Sequence, residues 1–342
     1  MEKKRVLLIA GAGTLGSYTS QELLKMGYLV DVIALEDLVS YNANLTYIRA
    51  HVSDQLLKEL FRTHHYDAIV DFIHYSDTKA YQSRAKLLLD HTDQLVFLSS
   101  YRIYANEEVP VKETSPRLID VYDDPYMMEN EGYGVPKAIN EDFLRSSGYK
   151  NWTIIRPLIS FSHFRLDLVT LGAPYLLFRA KAGKKTLLPK DAKNMTAGVG
   201  WAGNIGKMIA RLIGNEKAFG EAFTLGTGEN LTWGEIADIY TEVTGLEFVW
   251  VDTETYLENA TANQYGNYCI LHYDRLWDRK IDNSKLLEAT GLSMKDFVGV
   301  REALIYELGI LAENPEFVKR FDTEESRAVN AKMDKYLAEM EK

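Results

Sequence analysis

The sequence predicts an α/β protein built on a doubly wound parallel sheet, with a smaller, mostly C-terminal α/β subdomain. Three observations predict it. Apolar runs of strand length alternate with helical stretches over the first 160 residues, and the first run ends in a Gly-x-Gly-x-x-Gly turn. Further on, a Tyr-x-x-x-Lys pair opens a helical pattern. Strand–helix alternation of this kind implies parallel strands joined by right-handed crossovers.

Val6 to Ala10 is a continuous apolar run, the mark of a strand buried on both faces. It passes into Gly11-Ala12-Gly13-Thr14-Leu15-Gly16 and then a helical pattern through Leu23 and Leu24, closed by Gly27. Strand, glycine turn and helix together predict a dinucleotide site. The glycines allow a tight turn and a close approach to a pyrophosphate, which sits on the helix N-terminus begun by Thr14 and Leu15. Leu29 to Leu35 is the second strand. An acid about 20 residues past the glycines would hold a ribose 2′-hydroxyl. Ala34 occupies the expected place, so Glu36 is the substitute, although Glu36 and Asp37 read equally as loop solvation. No Lys or Arg lies between Met26 and Ile48, which favours NAD over NADP.

Leu45 to Val52 reads as the third strand, with Ser53-Asp54 leading into a helix from Gln55 to Thr63. Tyr66 to Ile73 is the fourth, delivering His74-Tyr75-Ser76 to the sheet's carboxyl edge, where such folds bind ligands. A helix from Thr78 to His91 precedes strand five, Gln94 to Leu98, which runs into Ser99-Ser100-Tyr101-Arg102-Ile103-Tyr104. Asn106 to Gly132 is acidic, carries three prolines and reads as a long irregular loop of the binding or lid type.

Tyr133 and Lys137 stand slightly more than one turn apart on one helix face. An ammonium that close favours the phenolate and lowers a pKa ordinarily near 10. Such a phenol exchanges protons near pH 7, which suits carbonyl–alcohol interconversion. Most isolated Tyr-x-x-x-Lys pairs are surface accidents; the surrounding motifs give this one its weight. Trp152 to Ile155 is strand six, stopped by Arg156-Pro157. Phe161 to Lys193 is rich in cations (Arg165, Arg179, Lys184 and Lys185 among them), and reads equally as a cradle for an anionic substrate or a solvated surface. Ile205 to Ile213 is a helix, Ala222 to Leu225 a strand, and Thr232 with Glu235 a capping box. The charged tail from Pro315 to Lys342 places Phe317, Phe321, Val329, Met333 and Leu337 at helical spacing, to pack on the body or on a second subunit. The expected organisation is residues 1–160, completed by parts of 196–226, as nucleotide-binding domain. Residues 161–195 and 227–310 form the second subdomain, and 311–342 a helical tail.

The whole-chain numbers narrow the function. A net charge of −10 over 342 residues argues against nucleic acid. The single cysteine, Cys269, excludes an internal disulfide and a cysteine-rich metal site, and reads as a buried spectator thiol. No metal site is expected. Met1 to Ala10 imitates a signal peptide, but Gly11, Gly13 and Gly16 break the apolar run, and nowhere do the ~18 apolar residues of a membrane span occur. A cytoplasmic protein is expected.

With these residues in place, the chain from about Val6 to Leu308 resembles the extended short-chain dehydrogenase/reductase family, in its NAD-dependent epimerase/dehydratase branch. The carriers are the glycine turn, Val96-Phe97-Leu98-Ser99-Ser100-Tyr101-Arg102-Ile103-Tyr104, Tyr133-Gly134-Val135-Pro136-Lys137, Ile154-Ile155-Arg156-Pro157, Gly220 to Gly228, and Asp282-Asn283-Ser284-Lys285-Leu286. The resemblance implies a Rossmann-type domain with a substrate-binding subdomain. It makes Ser100, Tyr133 and Lys137 catalytic. Gly11, Gly13, Thr14, Leu15, Gly16, Glu36, Asp54 (at the adenine), His74 (at the central ribose), Ser99, Arg156 and Pro157 (beside the nicotinamide) join Tyr133 and Lys137 as cofactor contacts. Tyr101, Arg102, Arg165 and Arg275 fall on the substrate side.

Several positions depart from the family pattern. Ala10 stands where a further glycine is usual. Tyr101 and Arg102 stand where a 4,6-dehydratase carries the Asp-Glu pair that removes water. Ile159 replaces an asparagine that holds a nucleotide sugar's diphosphate, and a diphosphate arginine is replaced near Ala197 or Gly198. The resemblance thus implies an NAD-dependent epimerase of a sugar or nucleotide sugar. The alternatives are an NAD(P)-dependent reductase or dehydrogenase of a sugar or other carbonyl compound, and a non-catalytic nucleotide-binding relative. Related enzymes often form homodimers through a four-helix contact that includes the helix of Tyr133.

Overall fold

The computed structural model describes residues 3–313 and 322–342. Its centre is a seven-stranded parallel sheet of β1 (Arg5–Ile9), β2 (Leu29–Ala34), β3 (Leu45–Arg49), β4 (Ala68–Asp71), β5 (Leu95–Leu98), β6 (Trp152–Pro157) and a seventh strand, Glu221–Leu225. The spatial order runs from the seventh strand through β6, β5, β4, β1 and β2 to β3. The chain reverses direction across the sheet between β1 and β4, so their carboxyl ends open the crevice where doubly wound sheets bind ligands.

The unbroken apolar run in β1 has a simple cause. Side chains alternate between the faces of a strand. Val6 and Leu8 pack with Val30, Val32 and helix residues Ile205 and Ile209, while Leu7 and Ile9 pack with Ile69, Phe97, Tyr81 and Leu88 on the other face. Both faces are covered, and neither tolerates a polar residue. A third core gathers later residues, Trp233, Tyr240, Tyr256, Leu304 and Leu308 among them, with Val329 and Met333 of the Glu324–Met340 helix. The tail therefore packs on the body through those two and the partly buried Leu337; Phe317 and Phe321 lie outside the described residues.

The structure corrects four expectations. Strand six continues through Arg156-Pro157, because Glu221–Leu225 pairs with it as far as Leu225 opposite Pro157. The irregular loop contains two short helices, Leu118–Val121 and Pro125–Asn130, the second capped by Asp124, whose carboxylate accepts from the Tyr126 and Met127 N–H groups. Tyr133 is the residue before the Gly134–Ser146 helix rather than part of it. The basic stretch does not act as one cradle. Arg179 is buried and donates to Asp334 at 2.9 Å and to the Lys185 carbonyl at 2.6 Å, and Lys184 also pairs with Asp334. Those cations clasp the C-terminal helix; only Arg165 of the group reaches the site.

Candidate active site

The carboxyl end of β5 gives way at Ser99-Ser100 to a single 3₁₀ turn, Tyr101–Ile103, capped by Ser100, whose Oγ accepts the Arg102 N–H at 3.2 Å. Against this turn stands the start of the Gly134–Ser146 helix. A Cβ on Gly134 would lie 3.0 Å from the Arg102 carbonyl, so glycine lets the two segments approach. The helix N-terminus is capped by Glu131, a buried carboxylate that accepts from the N–H groups of Tyr133 (3.2 Å), Gly134 and Val135 (2.9 Å). Its other oxygen pairs with the Arg102 guanidinium.

This packing fixes the surroundings of Tyr133. Lys137 is buried, donates from Nζ to the Leu98 carbonyl at 2.5 Å, and lies 5.0 Å from the centre of the Tyr133 ring. The Arg102 guanidinium is 4.9 Å from the same centre. Burial alone would raise the phenol's pKa, but Lys137, then Arg165 and Arg102, and a hydrogen bond with Ser100 outweigh it, and the phenol is held below its ordinary value. Burial also lowers the Lys137 ammonium, against the pull of Tyr133, Asp71 and Glu141. His74 stacks on Tyr133 with ring centres 4.9 Å apart and holds the Gly132 carbonyl through Nε2 at 3.1 Å.

Two cavities border the glycine turn. One, of about 480 Å³, is lined by Ala10, Gly13, Ala34, Glu36, His51 and Ile73 among others. The second, of about 200 Å³, is bordered by Thr14 and Leu15 and reaches Ser100, Tyr133 and Pro157. Between them lies the N-terminus of the Thr14–Lys25 helix, which has no side-chain cap and no acid in its first turn. A Cβ on Gly16 would come within 2.3 Å of the Gly11 carbonyl oxygen, so glycine is required for the helix to start against the turn. An uncapped helix start between an apolar cavity with a carboxylate at its rim and a cavity holding the tyrosine fits a dinucleotide.

The predicted residues sort accordingly. Ser100, Tyr133 and Lys137 converge, and Gly11 to Gly16 form the turn. Glu36 and Pro157 line the cavities, as do Tyr101, Arg102, Arg165, Arg275 and Ile159. His74 meets Tyr133 itself. Ser99 is buried, and its Oγ has no hydrogen-bond partner among the described residues. Asp54 lines neither cavity and accepts from Arg84 Nε at 2.7 Å. Arg156 points away from the site: its guanidinium is buried against Glu141 (2.6 and 2.9 Å) and the Tyr104 hydroxyl (2.7 Å), because alternation along β6 sends it to the face opposite Pro157. Its cofactor role is therefore not supported by its side chain.

Sequence reasoning missed Glu131 and Asp274. Glu131 carried one readable signal, a carboxylate just before a helix start. Asp274 carried none. It lies on a π-helical turn, Leu271–Arg275, a rare element frequent at functional sites. Fully buried, it accepts from the Tyr101 hydroxyl (2.8 Å), Arg279 (2.9 Å) and Arg275.

No protein-family model matches the chain. UDP-glucose 4-epimerase 1 of Oryza sativa subsp. japonica is 28% identical over 188 aligned positions, 44% of this chain and 49% of that protein, so the match spans about half of that relative's length. Among solved structures, an epimerase of Methanothermobacter thermautotrophicus superposes with a TM-score of 0.70 at 17% identity, over 93% of this chain and 95% of that one. A dTDP-glucose 4,6-dehydratase of Bacillus anthracis str. Ames in complex with NAD gives 0.69 at 15%, over 93% and 100%. UDP-glucose 4-epimerase of Bifidobacterium longum in complex with NAD⁺ and UDP gives 0.65 at 17%, over 92% and 100%. At these identities the structural likeness is one of fold. The chain is thus similar in sequence, over less than half its length, to a UDP-glucose 4-epimerase, and it shares the fold of epimerases and a dehydratase over most of its length.

Proposed function

We propose that the chain is an NAD-dependent epimerase of a sugar or nucleotide sugar, with Tyr133 as acid and base. The observation that carries the reading is a phenol held below its ordinary pKa by Lys137 at the edge of a cavity that also borders the glycine turn. Gly11 to Gly16 would hold the pyrophosphate of the dinucleotide, Glu36 its adenosine ribose, and Lys137 and Pro157 its reactive end. When bound, NAD supplies a hydride acceptor that can return what it takes.

The chain's own share is proton handling and placement. Tyr133, as phenolate, takes the hydroxyl proton of the substrate alcohol and later gives it back. Lys137 keeps the phenolate accessible. Ser100 donates to the reacting oxygen, whose charge changes most in the transition state. Inversion requires the keto compound to turn in the cavity before it is reduced on its other face.

A specific observation keeps a dehydrogenase as second reading: Ile159 lines the cavity where a diphosphate-holding asparagine is usual. One experiment divides the two. Purified protein is passed through gel filtration and incubated with candidate sugars and nucleotide sugars. Retained cofactor and formation of an epimer without net absorbance change at 340 nm support the epimerase. Stoichiometric absorbance change supports the dehydrogenase. Tyr133→Phe should lower kcat by about 10²–10⁴ in either case; unaltered turnover would remove both.

A further inference from the structure

The substrate-side cavity has an unusual charge pattern. Arg102, Arg165 and Arg275 line it, and among the described residues no carboxylate does. The carboxylates lie behind the guanidinia. Glu131 backs Arg102, Asp167 backs Arg165 at 2.7 Å, and Asp274 is shared between Arg275 and Arg279. Arg102 also approaches Asp274, at 3.7 Å. Four guanidinia therefore stand over three carboxylates, with the Lys137 ammonium beside them.

Arg275 and Arg279 are each no more than 5% exposed. Buried charges are ordinarily matched by partners, since desolvation is costly. Burial does depress both arginines, Arg279 to about 10. The three guanidinia that line the cavity present their open edges to it and to the phenol, while their carboxylates stand behind them. At about 200 Å³ the space falls below the ~300–1,000 Å³ typical of pockets for drug-sized ligands, and suits one sugar or hydroxy-acid unit rather than a whole nucleotide sugar.

We infer that the reacting unit of the substrate carries a carboxylate, seated on Arg165 and Arg275 beside Tyr133: a uronate-type sugar or a polyhydroxy acid. The inference deepens the proposed hydride-transfer function and rests on it for the reaction, but not for the binding. Arg165 presents a half-exposed guanidinium whose Nε and one terminal nitrogen hold Asp167, leaving an edge for an incoming oxygen pair. Arg275 supplies the buried end; its Nε is fixed on the Val169 carbonyl at 2.9 Å and Nη1 on the Tyr101 hydroxyl at 3.1 Å. The hairpin that carries this carbonyl turns at Val169, a β-branched residue at φ +55° and fully buried, so the arginine is fixed against a backbone conformation valine rarely adopts.

The test uses the NAD-loaded full chain and three probes: galacturonate, galactose and UDP. Binding is read by calorimetry and thermal shift, and turnover separately at 340 nm and by epimer formation. Galacturonate should bind about 10–100-fold more tightly than galactose, the range of one charge-assisted hydrogen bond. Arg165→Gln, at a half-exposed position, should remove most of that preference while leaving Tm within about 2 °C; Arg275→Lys should reduce it further. Equal binding of the acid and the neutral sugar, or an acid preference that survives Arg165→Gln, would overturn the inference. So would tight binding of UDP that is lost in Arg165→Gln while galacturonate binds no better than galactose, since the arginines would then read a diphosphate. Acid preference without any hydride transfer would sink the proposed reaction and leave the carboxylate site standing.

Discussion

Glu131 offers the sharpest separation between a fold that merely contains the site and one that tunes it. Its two oxygens serve two faces: the backbone N–H groups of Tyr133, Gly134 and Val135, and the Arg102 guanidinium. Glutamine in its place has one acceptor oxygen, so one face keeps its bonds while the amide NH₂ confronts donors on the other. Losing one charged set costs about 2–4 kcal/mol, at about 1.5–3 kcal/mol for a hydrogen bond to a charged group. Unfolding entropy of ~2.1 cal/mol/K per residue gives this 342-residue chain about 0.7 kcal/mol/K, so Glu131→Gln should lower Tm by roughly 3–6 °C. The kinetic signature is the more telling one. With its counterion neutralised, Arg102 pulls harder on the phenolate, and the acid limb of the kcat/KM–pH profile should move to lower pH. At the same time kcat should fall about tenfold or more as the Tyr133 backbone loosens. Scanning calorimetry and a pH series of initial rates read both. A Tm within 1 °C of the parent together with an unmoved acid limb would refute this account of how Tyr133 is held.

Two further substitutions test the frame around the site. Burial raises Asp71, at the carboxyl end of β4, to about 6. A carboxyl whose folded pKa is raised stabilises the protein below its unfolded pKa near 4, and that contribution is lost as pH rises through 6. Asp71→Asn should therefore stabilise the protein at pH 7.5 by up to about 3 kcal/mol, at 1.36 kcal/mol per pKa unit less any loss from its bonds to Ile73 N–H and Tyr75, and by no more than about 1 kcal/mol at pH 4.5, read as a larger rise in Tm at the higher pH; equal effects at both pH values would contradict it. Ala10 adopts φ +54° where the family usually has glycine. That conformation costs an L-residue about 1–2 kcal/mol, and glycine's extra chain entropy takes back about 0.5–1 kcal/mol. Ala10→Gly should thus raise Tm by about 1 °C with unchanged cofactor affinity; a lower Tm would show that the turn gains more from the methyl group's packing than it loses in strain.

What was legible in the sequence was local. The unbroken apolar run of β1, the glycine turn and the four-residue step from Tyr133 to Lys137 are short-range patterns, and the strand, turn and helix they predict are present, with Tyr133 at the residue before the helix. What was not legible was pairing across long separations. Tyr101 meets Asp274 over 173 residues, and Arg179 meets Asp334 over 155. Neither partner carries a local mark, so the basic stretch from Phe161 to Lys193 read as one patch when its members serve different ends. Arg156-Pro157 looked like a strand stop because proline lacks an N–H. It is tolerated because the neighbouring strand registers Leu225 opposite Pro157. The short helices at Leu118–Val121 and Pro125–Asn130 are too brief for a periodicity to reveal.

The substitution of Tyr101-Arg102 for an acidic pair decides which chemistry the cavity can carry. Elimination of water needs an acid that hands a proton to the departing hydroxyl. Arg102 cannot do so, because a guanidinium does not release its proton in the working range. Tyr101 is spent differently: its hydroxyl is within 2.8 Å of both oxygens of Asp274, so its proton is committed to a buried carboxylate. Among the cavity's lining residues this leaves Tyr133 as the phenol tuned to exchange a proton, with Ser100 to orient the oxygen. One proton and one hydride interconvert an alcohol and a ketone and leave every other bond of the substrate intact. Mass spectrometry of turnover in ordinary water checks this. The product should equal the substrate in mass, or differ from it by two hydrogens, without loss of the 18 Da of water; a dehydrated product would mean that the leaving hydroxyl finds an acid other than the residues placed here.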